Sequence, residues 1–364
     1  MGAITNYPLP ITNLKAKISL TPRSSLLPFR QSLNLLPICT MPTYPDISCE
    51  TFRHPLDRQA EQALRSLPGF DLVATQFIKF FYERPQMVYH MGNSIQVGAR
   101  QYSSVYQIFR ECVRDLDISP EPVLFVSQTP VVNAYALGQE EPNIVLNTGL
   151  LDLLTPTEIR TVIAHELGHL KCGHTILIQM ATWVISTANY IGARTLGLGN
   201  LVSSGLIFAF YEWKRKAELS ADRAALMVMD DLKPVMQTMM KLAGGSIQYG
   251  HECSLDEFIR QAERFQELDQ DSLNQVYKFL LYNNFPQNLF LTHPFAVERI
   301  TYLQQWANSA EYGQIRQGNY PRSPAQNAVN VQTESSPSAA TEDLRRQIEE
   351  LQREIERIKK RGEE

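Results

Sequence analysis

The amino-acid sequence predicts a mainly α-helical chain with one small β-sheet, an α+β fold. Helical periodicity of apolar residues recurs before residue 120 and again from residue 155 to about residue 306. Three short runs of β-type residues lie between these two regions. The predicted segments, helices first and then strands, are Leu56–Leu67, Asp71–Glu83 and Ser103–Leu116, followed by Pro122–Val126, Val131–Leu137 and Asn143–Leu146.

The composition is that of an ordinary globular protein. With 364 residues, 44% apolar and 20% charged, the chain is neither a collagen, nor wholly disordered, nor a small disulfide-stabilised protein. The formal net charge of −4 shows no positive excess, so no nucleic-acid partner is expected. The cysteines are odd in number and scattered, which favours a reducing intracellular compartment over a disulfide framework; they are Cys39, Cys49, Cys112, Cys172 and Cys253.

Residues 1–50 are predicted to form a disordered extension before a globular body at 55–320. The first 45 residues contain no Asp or Glu but four Lys or Arg, with many Pro, Ser and Thr and no long apolar core. Such a segment resembles a transit peptide for a plastid or another organelle. The alternative is a misassigned start codon, with Met41 as the true initiator.

The C-terminal part is predicted to be a linker followed by a short helix. Residues 321–340 are rich in Pro, Ser, Ala and Asn, which is typical of a linker. In 341–364, apolar residues from Leu344 to Ile358 are spaced alternately by four and three positions. This heptad predicts a parallel homodimeric coiled coil through 344–358. The alternative is a solvated, partly helical tail, since the seam is short.

One helix has a clear start signal. Thr155 can act as its N-cap, Pro156 occupies the first helical position, and Glu158 completes a capping box. The helix is predicted to continue through Lys171.

This helix contains the motif His165-Glu166-Leu167-Gly168-His169. Two histidines four positions apart share one helix face, so both imidazoles can bind one metal ion. Glu166 then lies beside the open coordination position, where it can accept a proton from water. The alternative is two buried histidines paired with carboxylates, which does not require this spacing.

A third ligand is needed, and Glu218 is the candidate. The metzincin pattern fails, because Cys172 and Thr175 stand where it requires Gly and His. Glu218 and Asp222 lie four positions apart in the helical stretch Phe208–Met229. Glu218 would bind the metal and Asp222 would hydrogen-bond a ligand imidazole. Taken alone, Glu218 is better explained as an exposed helix charge, since Lys214, Arg215 and Lys216 are nearby; the upstream motif favours the ligand role.

Four segments together resemble the HtpX-like and CAAX-prenyl-protease-type zinc metallopeptidases, over roughly residues 55–310. They are HELGHLKCGH, RKAELSADRAA, THPFAVERI and the upstream VVNAYALGQEEPNIVLNTGLLDLL. The resemblance implies a gluzincin-type zincin core with one Zn²⁺ per chain, held by His165, His169 and Glu218. It also implies that Glu166 is the general base and that Asp222 supports a ligand.

The resemblance places further residues near the site. Asn133, Ala134, Tyr135 and Ala136 would lie on or near the sheet edge that receives the substrate. His293, with Arg299 nearby, is a candidate for stabilising the developing oxyanion. From the residues alone, His293-Pro294 is only a turn before a helix.

The interval between the ligand helices is strongly apolar. Residues 175–193 and 195–211 contain no charge, and Arg194 separates them. The chain leaves the metal site and returns to it, so a helical hairpin is expected. This hairpin either contacts a membrane through 175–211 or is buried in the body or in a dimer. Segment length does not decide between these alternatives, because both segments are near the minimum length for spanning a membrane.

The leading functional interpretation is a zinc-dependent metalloendopeptidase acting on polypeptides, in protein quality control or on membrane-associated proteins. The alternative is an inactive metal-binding scaffold that recruits partners through its C-terminal coiled coil. A prenyl-protein protease would share the metal chemistry but needs more membrane spans than this chain has.

Overall fold

The computed structural model describes residues 42–80, 83–191, 204–269, 293 and 296–322. Its helices are α1 (Pro55–Ser66), α2 (Phe70–Phe80), α3 (Glu83–Asn93), α4 (Ser103–Asp115), α5 (Thr148–Leu153), α6 (Pro156–Lys171), α7 (His174–Ile191), α8 (Ser204–Met229), α9 (Leu232–Gly244), α10 (Leu255–Asp269), α11 (Ala296–Ala307) and α12 (Ala310–Arg316). Its strands are β1 (Ile95–Gln96), β2 (Val123–Ser127), β3 (Ala134–Leu137) and β4 (Asn143–Asn147). This architecture confirms the predicted mainly α, α+β class.

The strands form one mixed sheet with the order β1-β2-β4-β3. β2 and β4 are parallel, and β3 is antiparallel to β4. Every residue of β4 is buried, as expected for the interior strand of a small sheet. β3 therefore lies at an edge of the sheet, where the sequence places the candidate substrate-binding residues.

Helix α6 forms as its local signals predict. Thr155 Oγ1 accepts the backbone N–H of Glu158, and the Glu158 carboxylate accepts the backbone N–H of Thr155 at 2.7 Å. The helix ends at Lys171, the residue predicted. Cys172 and Gly173, which has a φ of 67°, form the tight turn into α7.

Short elements were not predicted, because their patterns are too brief to show a period. They include β1 and α5. Helix α3, which begins at Glu83 where the predicted second helix was to end, has 11 residues and was missed because its apolar residues follow no clear helical period. β1 has only two residues, both exposed, and is defined by its pairing with β2.

The folded body begins earlier than the predicted boundary at residue 55. Tyr44 and Ile47 are each 2% exposed and belong to the main core. The sequence predicts no disulfide framework, but Cys49 and Cys172 form one disulfide across 123 residues, while Cys112 and Cys253 are free. The partners are distant in sequence and are brought together only by the fold.

The two legs of the predicted hairpin, α7 and α8, pack on each other and on α1 and α2. These four helices share a hydrophobic cluster that is separate from the main core. It includes Leu177 and Phe210 from the hairpin and Leu64 and Phe77 from the N-terminal helices. Among the described residues, no helix has the length and apolarity needed to cross a membrane. The segment joining the legs lies outside the described residues, as do the N-terminal 41 residues, the predicted linker beyond residue 322 and the coiled coil.

His54 provides a test of how α1 is anchored. It is the N-cap of α1, where its Nδ1 accepts the backbone N–H of Leu56. Burial, together with the positive charges of Arg223 and Lys216, lowers the pKa of His54 to about 3. The unfolded chain takes up this proton near pH 6.5, so stability falls as pH decreases below that value. Relative to His54→Asn, which also caps but does not titrate, we expect the wild type to lose about 2 kcal/mol between pH 7 and pH 5 in denaturant unfolding. If the free energies of unfolding of the wild type and His54→Asn differed by the same amount at pH 7 and pH 5, His54 would not be neutral and buried in the folded protein.

Candidate metal centre

Helices α6 and α8 approach each other closely at the centre of the molecule. A Cβ atom added to Gly168 would lie 2.7 Å from Ala224 Cβ and 3.0 Å from Ala221 Cα. Gly168 therefore permits a backbone separation that a side chain would prevent. This close packing brings the histidines of α6 within reach of the acidic residues of α8.

All three predicted ligands converge between these helices. His165 Nε2 lies 3.3 Å from Glu218 Oε2, and His169 Nε2 lies 3.4 Å from Glu218 Oε1. All three side chains are buried. With His293 they form a group whose ligand atoms all lie within 4.8 Å of one another, suitable for holding a metal ion.

The donors fit a metal ion better than a closed hydrogen-bond network. His169 Nε2 and Glu218 Oε1 are buried and have no hydrogen-bonding partner among the described residues. Unpaired buried polar atoms are costly, so two of them within one group of possible ligand atoms indicate an absent partner. Burial would raise the pKa of Glu218, but His293 and Arg299 hold it well below its usual range. Two imidazoles and one carboxylate are a common zinc donor set.

Asp222 lies where the sequence predicts it. Its Oδ1 is 3.0 Å from His165 Nδ1, so that nitrogen donates to the carboxylate and Nε2 keeps its lone pair for a metal. Arg299 also binds Asp222, with Nε 2.7 Å from Oδ2. The buried ion pair of Asp222 and Arg299 thus fixes the orientation of the His165 ring through its Nδ1.

His169 is supported by a chain of contacts that sequence reasoning missed. Its Nδ1 lies 3.0 Å from His174 Nδ1, and His174 Nε2 lies 3.0 Å from Asp57 Oδ2. Asp57 is wholly buried and also accepts from Ser220 Oγ at 2.7 Å and from Arg53 Nε at 3.0 Å. His174 was noted only as part of the motif, and nothing in the sequence pairs it with Asp57, 117 residues away.

The edge strand β3 runs past the candidate metal centre. Asn147 N donates to Asn133 O at 3.1 Å, so alternate residues of β3 bond to β4. Ala134 and Ala136 therefore direct their backbone groups toward the open edge. The structure thus places two of the four candidate substrate-binding residues at the open edge beside the site, where Ala134 O contacts His293 and the backbone of Ala136 bonds Glu166.

Glu166 lies between the metal ligands and β3. Its side chain is almost wholly buried, and burial raises its pKa despite the opposing effects of His293 and His165. The backbone of Ala136 hydrogen-bonds the carboxylate. An acid of raised pKa beside an extended edge strand has the position of a group that exchanges protons with a bound peptide.

His293 lies inside the ligand group instead of beside it. Its Nδ1 is 2.8 Å from Glu218 Oε2, while Nε2 is 3.2 Å from Ala134 O and 3.4 Å from Glu166 Oε1. In this orientation Nδ1 faces the metal-ligand atoms. The predicted oxyanion role would require the ring to release Glu218.

Two cavities border this group. Their volumes are about 370 Å³ and about 420 Å³. Asn133, Glu166 and His293 line both of them. The residues predicted to carry chemistry therefore lie where a chain occupying both cavities would cross.

The comparisons with known proteins agree with this geometry. The model of Peptidase family M48 matches residues 99–307. Plastoglobule-localized metallopeptidase 48, chloroplastic, of Arabidopsis thaliana is 34% identical over 283 residues, which cover 76% of this chain and 79% of that protein. Protease HtpX homologs of Methanosarcina mazei and Moorella thermoacetica are 28% and 23% identical, over 46% and 64% of this chain and 63% and 82% of their own lengths. No solved structure matches the chain.

The family match covers more than half of the chain and includes the two helices that carry the ligand group. The Arabidopsis relative extends the similarity over three quarters of the sequence. Together with a buried group suited to a metal ion, these matches identify the chain as a member of peptidase family M48.

Proposed function

We propose that the chain is a zinc-dependent endopeptidase, with one Zn²⁺ held by His165, His169 and Glu218. The observation that carries this proposal is that His169 Nε2 and Glu218 Oε1 are buried without a hydrogen bond and belong to one group of possible ligand atoms within 4.8 Å of one another. Bound zinc would supply Lewis-acid chemistry at the scissile carbonyl. Glu166 would take the proton of the attacking water and later pass it to the leaving amine.

The substrate would bind as an added strand along β3. The Ala134 N–H and the Ala136 carbonyl would pair with its main chain, because Ala134 O and the Ala136 N–H already contact His293 and Glu166, and Asn133 and Tyr135 would border it. Main-chain recognition requires an extended segment, which unfolded polypeptides offer far more often than folded ones. This supports a role in protein quality control.

The location we propose is a plastid. The Arabidopsis relative is named as chloroplastic and plastoglobule-localized, and the first 45 residues of this chain are free of acidic residues. The scaffold alternative has no support among the described residues, because the coiled coil on which it depends lies outside them.

The test combines zinc content with cleavage of an unfolded protein. We expect the purified full chain to contain one zinc per polypeptide and to cleave unfolded casein until a chelator is added. A stably folded globular protein serves as the comparison and should remain uncut. Absence of zinc from active protein, or chelator-resistant cleavage, would overturn the proposal.

The His174 contact gives a separate prediction about zinc affinity. His174→Ala removes the acceptor for His169 Nδ1–H, so His169 is no longer held with Nε2 toward the metal. We expect the zinc affinity to fall by about 10–100-fold, measured by competition with a chromophoric chelator. His174→Asn should retain most of the affinity, because its Oδ1 can replace the accepting nitrogen.

A matched control separates this effect from general destabilisation. Asp115→Asn alters an equally buried ion pair, in which Asp115 Oδ2 lies 2.5 Å from Arg160 Nη2 on α6. This variant should lower the free energy of unfolding but leave zinc affinity unchanged. Unchanged zinc affinity in a folded His174→Ala protein would show that His169 needs no such support.

A further inference from the structure

The larger of the two cavities, about 420 Å³, has mainly apolar walls. Tyr135 and Leu137 of β3 form one side, and Ile178 and Trp183 of α7 lie opposite. Glu166 and the ligands His169 and Glu218 also line it. A substrate group entering this cavity therefore lies next to the bond to be cleaved.

Polar atoms of three side chains that line this apolar cavity make no hydrogen bond to the described residues. Gln86 Oε1 and Gln179 Nε2 are buried and unpaired. The ammonium of Lys214 has an electrostatic interaction with Glu218, one turn away on α8, but no hydrogen bond. Unpaired groups gathered in one cavity indicate a polar ligand group.

The neighbouring cations on α8 show that Lys214 is unusual. Arg215 Nη2 lies 2.7 Å from Glu298 Oε2, and Lys216 Nζ lies 3.3 Å from Glu298 Oε1. An ammonium that lines a mainly apolar cavity is costly to keep charged. A negatively charged partner would offset that cost.

We propose that this cavity binds a carboxylate of the polypeptide substrate through Lys214 and Gln179, so that an acidic group is preferred beside the scissile bond. The inference rests on the proposed peptidase function. The carboxylate can belong to a Glu or Asp side chain or to the substrate C-terminus. Gln179 Nε2 donates as it stands, and the carboxamide of Gln86 donates after rotation. The apolar walls then enclose the aliphatic stem.

The experiment measures peptide binding to the full-length Glu166→Gln protein by calorimetry, so that cleavage does not interfere. The probes are seven-residue neutral peptides blocked at both ends, with Glu at each position in turn, and matching Gln peptides. An unblocked peptide without Glu distinguishes the terminal carboxylate from the side chain. We expect one of these carboxylate peptides to bind at least about tenfold more tightly than its neutral counterpart.

Adding Lys214→Met to this protein should abolish the difference between the charged and neutral peptides. Lys216→Met is the matched control on the same helix and should preserve it. Equal binding of charged and neutral peptides, or a preference that survives Lys214→Met, would overturn the inference. Casein cleavage by the wild type is scored separately, so a carboxylate preference without any cleavage would contradict the peptidase function and leave the binding site standing.

Discussion

Glu166→Gln is expected to abolish cleavage while the protein keeps its zinc. Gln has the same size and keeps a hydrogen-bonding oxygen, but its amide cannot take a proton from water. Loss of a general base lowers the rate by about 10²–10⁴-fold. Initial rates on unfolded casein, measured beside zinc content and far-ultraviolet circular dichroism, would show the effect.

The matched control for this variant is Glu158→Gln, on the same helix. Gln also completes a capping box, so α6 should form as before and the activity should remain. Wild-type rates in Glu166→Gln would exclude this residue as the base. Loss of zinc from the variant would instead show that the carboxylate helps to hold the site together.

The parts of the site that sequence reasoning found are those with local signals. The capping box and the two histidines lie within one helix, so spacing alone specifies which side chains share a face. Glu218 and Asp222 form a similar pair on α8, and the family resemblance connects them to α6. Each of these assignments needs only helical geometry and a known donor set.

The parts that were missed depend on contacts between distant segments. Asp57 lies next to His174 because α1 packs against the hairpin of α7 and α8. Apolar side chains elsewhere on these helices determine that packing. The disulfide between Cys49 and Cys172 has the same origin. Periodicity describes one element at a time, so pairings across 117 or 123 residues leave no pattern in it.

Helix α8 combines three roles along a single face. Lys214, Glu218 and Asp222 follow one another at intervals of four residues. Lys214 lines the apolar cavity, Glu218 belongs to the ligand group, and Asp222 hydrogen-bonds His165. A small rotation of α8 would therefore disturb the proposed substrate selection and the proposed metal binding together, and the close approach at Gly168 restricts such rotation.

The second large effect is expected for Glu218→Ala, which should lose zinc and all cleavage. The change removes the only carboxylate of the proposed ligand set and leaves two histidines whose Nε2 atoms have no charged partner between them. Zinc affinity should fall by more than the 10–100-fold that is typical for outer hydrogen-bonding partners. Zinc per chain after dialysis, measured by atomic spectroscopy, is expected to drop from one to near zero.

Two variants on the same helix define what this result means. Glu212→Gln alters an ion pair with Arg215 away from the ligand group, so zinc and activity should both remain. Asp222→Asn weakens the support of His165 without removing a ligand, so zinc affinity should fall by about 10–100-fold and excess zinc should restore binding. Full zinc retention by Glu218→Ala would show that His293 completes the site, because its Nδ1 is the other ligand atom within reach of both histidines.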